Sequence, residues 1–246
     1  MLAAIGDIDM ASLIDSLILM AKDLNQYHEN NKDGKGTYKH GDGWGIAYYA
    51  SGKWTLTKSI KPCYEDDEIK TLMKINPKIV LLHSRKAFTG DVKYQNSQPF
   101  QYKDFMFMQN GLIKDKLLFN SKYKPEGETD SEKFFYSLLT QLDKDDNPQA
   151  ILDFLYSFKN YLALNFILAT PDKMYVAVKY SQKPNYFSMK LGQRKGLTVI
   201  SSEIVPTIPN LNWSHMNDGD LLVIDNNTHE FKHYIKDEFD EELKWE

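Results

Sequence analysis

The sequence predicts an α+β fold built on large antiparallel sheets. Three features carry that prediction. Helical spacing appears in only three stretches, one near the start and two adjacent ones in the middle. Strand-like runs lie on both sides of the middle pair. The resulting order is strand, helix, strands, two helices, many strands, in which helices and strands are segregated.

Leu2 to Ile5 is a short apolar run ending at Gly6 and reads as a first strand. From Met10 to Leu24, the residues Leu13, Ile14, Leu17, Ile18, Ala21 and Leu24 recur at helical spacing, with Asp9 as N-cap. The stretch from Asn30 to Gly45 is polar and Gly-rich and predicts a long loop. Gly45–Tyr49 and Lys53–Lys58 form a hairpin pattern around Ser51-Gly52. Ile79–His83 and Phe105–Met108 read as buried strands, separated by a polar segment that holds Arg85, Gly90, Asn96 and Pro99. Thr129–Leu142 reads as a helix opening on a capping box of Thr129 and Glu132. Asn147-Pro148 opens another helix, running to about Lys159, with Asn as cap and Pro in the first turn. Strands follow at Leu162–Ala169, Met174–Tyr180, Tyr186–Leu191, Leu197–Ser201 and Leu221–Asp225, with turn signals at Pro171-Asp172 and Asn226-Asn227. No linker or repeat interrupts the chain, so a single domain over 1–246 is expected.

Composition excludes several classes. With 42% apolar and 13% aromatic residues, the chain can bury a full core without metals or disulfides and does not read as disordered. Its 30 basic residues against 34 acidic ones give a net charge of −4, which argues against a nucleic-acid ligand. No apolar run approaches the roughly 18 residues of a membrane span. Asp7 and Asp9 stand where a signal peptide would be basic. Cys63 is the one cysteine, so a disulfide framework is excluded and a reducing, cytoplasmic setting is expected. Only Arg85 and Arg194 among the basic residues are arginines. Bidentate recognition of a carboxylate is a task for which Lys will not serve.

Four candidate sites stand out. His229-Glu230-Phe231-Lys232-His233 matches the H-E-x-x-H zinc pattern. That chemistry needs a helix, whereas this segment follows a strand and an Asn-Asn turn and predicts a returning strand. No metal or cofactor is therefore expected. The glycines at 34, 36, 41, 43 and 45 lack both the P-loop ending and the dinucleotide spacing, and read as a loop. Cys63 has no helix start and no His beside it to activate a thiolate, and reads as incidental. The fourth candidate is a set in fixed order: His83-Ser84-Arg85, Gln95 to Phe100, Phe107 to Ile113 through Asn110-Gly111, and Thr129-Asp130-Ser131-Glu132. Each member has a plain structural reading, Asn-Gly as a turn and Thr-x-x-Glu as a helix start. Their joint order is specific.

The set resembles the class II glutamine amidotransferase domain, a family of N-terminal-nucleophile hydrolases. It is similar above all to stand-alone members, which include γ-glutamyl hydrolases of thiol-histidine biosynthesis. The family's H-x-R…G…N-x-x-P-F stretch resembles His83, Arg85, Gly90, Asn96, Pro99 and Phe100. Its H-N-G-x-I segment resembles Gln109 to Ile113, with Gln in place of His. Its T-D-S/T-E, D-G-W-G-I and S-S-E segments resemble Thr129–Glu132, Asp42–Ile46 and Ser201–Glu203.

The resemblance implies a four-layer αββα sandwich and hydrolysis of a γ-glutamyl amide, glutamine or a conjugate. It implies that Arg85 clamps the α-carboxylate, that Asp130 binds the α-ammonium group, and that Asn110 and Gly111 form the oxyanion hole. Any ammonia acceptor would be a separate synthase. The family's nucleophile is an N-terminal cysteine in an opening of the form M-C-R-x-L. This sequence starts Met1-Leu2-Ala3-Ala4 and carries no Cys, Ser or Thr there. Met1 aligns with the x position, so the expectation is a sequence cut just before Met1. The rival expectation is a non-catalytic glutamine-binding pseudoenzyme or regulatory subunit.

Overall fold

The computed structural model describes residues 1–236; the last ten positions of the expected 1–246 domain lie outside the described residues. In chain order the elements are β1 (Leu2–Gly6), α1 (Met10–Ala21), β2 (Trp44–Ala50), β3 (Lys53–Ser59), α2 (Glu68–Thr71), β4 (Ile79–Ser84), β5 (Phe100–Tyr102) and β6 (Phe105–Ile113). They continue with α3 (Asp130–Leu142), α4 (Pro148–Ser157), β7 (Tyr161–Ala169), β8 (Lys173–Ala177), α5 (Pro184–Phe187), β9 (Met189–Arg194), β10 (Leu197–Ser201), β11 (Asn212–Met216), β12 (Leu221–Asp225) and β13 (Phe231–Tyr234).

β1 is apolar at every position before Gly6, and both of its faces are buried. Such a strand belongs in the middle of a sheet covered on both sides. It does lie there, between β10 and β4, in an antiparallel seven-stranded sheet of order β11-β9-β10-β1-β4-β2-β3. A second antiparallel sheet of order β13-β12-β8-β7-β6-β5 stacks against it. Between them lies a methionine-rich core that includes Met1, Ala3, Ile5, Leu81, Met106, Met108, Ile167, Met174, Met189 and Ile200. The outer face of the larger sheet is covered by α1, through Leu13, Ile14 and Leu17 packed on Leu2, Ala4, Val80 and Leu82. The outer face of the smaller sheet is covered by α3 and α4, through Phe134, Phe135, Leu138, Ile151 and Leu155 packed on Phe107, Leu164 and Phe166. The molecule is thus the expected αββα sandwich.

The helices start where their caps allow. The Asp9 carboxylate accepts from the Ala11 and Ser12 amides at 3.1 and 3.4 Å, and the Asn147 side chain accepts from Gln149 at 3.0 Å. Only half of the expected capping box forms. The Thr129 hydroxyl accepts from the Glu132 amide at 3.2 Å, but the Glu132 carboxylate turns to the amides of Glu126 and Gly127 at 2.9 and 2.7 Å.

Several boundaries differ from the sequence reading. The helix expected to reach Leu24 ends at Ala21, because Asp23 turns left-handed at φ 61° and leaves Leu24 exposed. The strand expected over Tyr186–Leu191 begins only at Met189. Before it Pro184 opens the short helix α5, whose Asn185 and Tyr186 amides both donate to the Glu29 carboxylate at 3.0 Å. The strand expected over Phe105–Met108 runs on to Ile113, so Asn110-Gly111 is extended strand and not a turn.

Candidate active site

The alternation that builds the inter-sheet core runs out into polar residues at one end. On β1, Met1, Ala3 and Ile5 face the other sheet, while Leu2 and Ala4 face α1. On β4, Ile79 and Leu81 face inward, which puts His83, and Arg85 just past the strand, on that same face. On β6, Met106 and Met108 face inward from the opposite sheet, and Asn110 follows them. Groups from both sheets therefore meet where the apolar filling stops.

Two adjoining cavities open there. One is walled by Met1, Leu17, Met20, Ser202 and Glu203. The other is walled by Arg85, Asn110, Gly111, Thr129 and Asp130. His40, His83, Ser84, Asn110 and Tyr186 line both. The structure thus brings all four residues singled out by the resemblance into one cavity, beside the start of β1.

Arg85 is 4% exposed. Its terminal amines donate to the carbonyls of Thr89, Gly90 and Asp91 at 2.8, 3.0 and 3.2 Å, and to that of Asp42 at 3.4 Å. These contacts fold the 89–91 turn around the guanidinium. They neutralise no charge, and no carboxylate lies within ion-pair distance of Arg85 among the described residues. A buried cation solvated only by carbonyl dipoles favours an anionic ligand. Burial lowers its pKa, and the nearby Asp42 and Asp130 carboxylates act in the other direction.

Asp130 sits in the first turn of α3 and accepts from the Thr89 hydroxyl at 2.6 Å and from the Ile113 amide at 2.8 Å. Its two oxygens retain capacity for further donors. On β6 the backbone amides of Gln109, Gly111 and Ile113 point the same way, by strand alternation. The first donates to the Gln98 side chain at 2.6 Å and the third to Asp130. The Leu164 amide, opposite Gly111, is bonded to the Lys179 carbonyl instead. The Gly111 amide between them is therefore left facing the cavity that Gly111 lines. A side chain at 111 would collide with the Ala163 carbonyl oxygen, so only glycine allows this approach. Gln109, where the family has His, is almost fully buried. Its side chain accepts from Ser131 at 2.6 Å and donates to the Ala163 carbonyl at 3.2 Å, tying the start of α3 to the strands.

The long loop forms the remaining wall. The Asp23 carboxylate gathers it by accepting from the amides of Gly36 and Tyr38, each at 2.9 Å, and from the Asn31 side chain at 2.6 Å. His28 stands 3.2 Å from the same carboxylate. His40 and Tyr186, whose ring nitrogen and hydroxyl lie 3.3 Å apart, close the junction between the cavities. Sequence reasoning missed both, since each is an isolated residue in irregular surroundings. Burial drives the His40 pKa down to about 4 and that of His83 well below its ordinary value, so both rings are neutral near pH 7. The Met1 amino group, also buried, is lowered to about 6, against a rise from Glu203.

The other candidates lie apart. Cys63 is buried against Ser84 at 3.6 Å, and burial pushes its thiol up to about 11, which disfavours a thiolate. His229 stands 3.2 Å from the Thr198 hydroxyl and His233 stands 2.8 Å from Asp220. They belong to a turn and the strand β13, not to the helix a zinc pair requires. No helix among the described residues is long and apolar enough to cross a membrane.

The profile of class-II glutamine amidotransferases matches residues 21–183. An uncharacterized protein of Methanocaldococcus jannaschii is 29% identical over 238 residues, covering 82% of this chain and 64% of its own. The probable glutamine amidotransferase DUG3 of Saccharomyces cerevisiae is 34% identical over 122 residues, covering 43% of this chain and 34% of its own. Among solved structures, the glutamine phosphoribosylpyrophosphate amidotransferase of Bacillus subtilis superimposes with a TM-score of 0.62 at 18% identity, over 95% of this chain and 48% of that one. The chain spans between 34% and 64% of the length of the curated relatives it matches.

Proposed function

The chain belongs to the class II glutamine amidotransferases, and on that premise we propose that it binds the glutamyl end of glutamine or of a γ-glutamyl conjugate and cleaves the γ-amide. One observation carries the proposal. Arg85, Asn110, Gly111 and Asp130 line a single cavity, and the start of β1 opens beside it.

Arg85 supplies the cation for the α-carboxylate, exchanging carbonyl contacts for a carboxylate. Asp130 accepts from the α-ammonium group. The Asn110 side chain and the Gly111 amide face the γ-carbonyl, where two fixed donors stabilise the tetrahedral oxyanion. The nucleophile in this reading is a cysteine two residues ahead of Met1. Strand alternation supports it, because that position shares the inward face of Met1. The ladder supports it as well. Leu2 pairs with Leu82, so the register runs on to Met1 opposite His83 and the upstream position opposite Arg85. The free amino group of that cysteine takes the thiol proton, and the thiolate attacks the γ-carbon. The C–N bond breaks as the nitrogen takes the proton back, leaving a γ-glutamyl thioester. Water then hydrolyses the thioester to glutamate. The ammonia leaves to solvent or to a separate synthase.

The test is to place Cys-Arg directly ahead of Met1, with Ala-Arg as control. Ammonia release from glutamine is expected from the first alone. No turnover from either, with glutamine still bound, would leave the pocket as a binding site and favour the pseudoenzyme reading.

A further inference from the structure

His83 is the inward-facing residue of β4 at the junction of the two cavities, next to Arg85 and across the sheets from Asn110. It is 7% exposed. The Gln109 backbone acts on its ring to raise its pKa, against the larger lowering by burial, and its Nδ1 is buried without a partner among the described residues. A neutral imidazole that donates through one nitrogen offers a lone pair at the other. Such an acceptor, buried and unsatisfied, is costly unless something else fills it.

Several other polar groups at the junction already have partners. The Ser84 hydroxyl donates to the His40 carbonyl at 2.9 Å and lies against Cys63. The His40 ring and the Tyr186 hydroxyl face each other. That leaves two kinds of free capacity where the γ-group sits in the proposed function: donors on Asn110 and Gly111, and one acceptor on His83. A carboxamide needs that pairing, a donor for its oxygen and an acceptor for its N–H. A carboxylate has no N–H and would meet the Nδ1 lone pair with its own.

We infer that His83 is the residue by which the site distinguishes a γ-amide from the γ-carboxylate of the hydrolysis product. This rests on the glutamyl-binding reading above. It acts by positioning the amide, with no covalent step. A site built around an N–H discriminates strongly against an analogue that lacks it, because its own polar group is then left unpaired.

The test is calorimetry at pH 7.5 on the chain as it stands, with L-glutamine, L-glutamate and the γ-methyl ester of glutamate as probes. Glutamine is expected to bind at least tenfold tighter than glutamate. His83→Gln keeps a polar side chain but moves its polar atoms one bond further out, off the Nδ1 position, and is expected to bring the two affinities within threefold, with the ester little changed. His83→Asn keeps an acceptor near the Nδ1 position and is expected to retain the tenfold preference. A preference that survives His83→Gln, or an equal loss for all three probes, would overturn the inference. Should His83→Gln fail to fold, loss of the preference in folded His83→Asn would do the same. Failure of the unsubstituted chain to bind any probe would instead overturn the glutamyl-binding reading itself.

Discussion

In the proposed function Arg85 serves as both scaffold and ligand group. Four backbone carbonyls accept from its terminal amines, and those contacts fold the 89–91 turn. Lysine has three donors on one nitrogen and cannot reproduce a planar fork. Arg85→Lys is therefore expected to weaken glutamine binding by tenfold or more in calorimetry, while a Lys-to-Arg swap on the surface leaves it alone. Unchanged affinity would remove Arg85 from the site. The Asn110 side chain makes no hydrogen bond within the protein among the described residues, so its carboxamide is free for a ligand. Asn110→Ala in the chain extended by Cys-Arg is expected to lower kcat by about a hundredfold or more. A near-normal rate would remove it from the oxyanion hole. Arg85 was legible because it is one of only two arginines in a lysine-rich chain. His40 and Tyr186 were not, since what makes them part of the wall is the path of the loop and not any local pattern.

At the scale of elements, the sequence reading succeeded where periodicity and capping agree. α1 has both a clear apolar stripe and Asp9, and its start is placed correctly. It failed where a distant group decides. α5 exists because Glu29, more than 150 positions away, caps it. β5 and β11 are short edge or near-edge strands whose apolar content is too slight to mark them. Asn110-Gly111 has the composition of a turn, yet the ladder with β7 holds it extended. The half-made cap of α3 gives a prediction at this scale. Thr129→Ala is expected to cost about 1 kcal/mol of stability in urea denaturation, the usual worth of an N-cap. Glu132→Ala acts differently, by freeing the amides of residues 126 and 127 rather than the helix start. It is expected to raise protease sensitivity in that preceding loop.

Over the whole molecule, the burial of β1 on both faces marks it as a central strand, but the pairing of the thirteen strands among the described residues is set by long-range contacts that no single segment announces. The buried imidazoles give the whole fold a pH dependence. The unfolded chain binds a proton at His40 near pH 6.5, whereas the folded chain refuses it until about pH 4. His83 is displaced in the same direction. Their neutral forms therefore favour folding above about pH 6.5, and that contribution is lost as pH falls toward 4. For His40 the slope within the window is about 1.4 kcal/mol per pH unit. The urea midpoint is expected to fall between pH 7 and pH 5, and to fall less in His40→Gln. An unchanged midpoint would show that these rings are protonated without cost.

The cavity draws Arg85 and the start of β1 from one sheet and Asn110 and Gly111 from the other, so the separation of the layers acts as a caliper across the proposed site. What sets that gap is a filling rich in methionine, from Met1, Met106 and Met108 to Met174 and Met189. These side chains are long, unbranched and easily rearranged. A slip of one sheet over the other by a fraction of an ångström would change the reach between Arg85 and Asn110 while leaving every hydrogen bond within each sheet intact. Volume changes deep in the filling, far from any polar group, thus become a way to detune or sharpen the site without touching it.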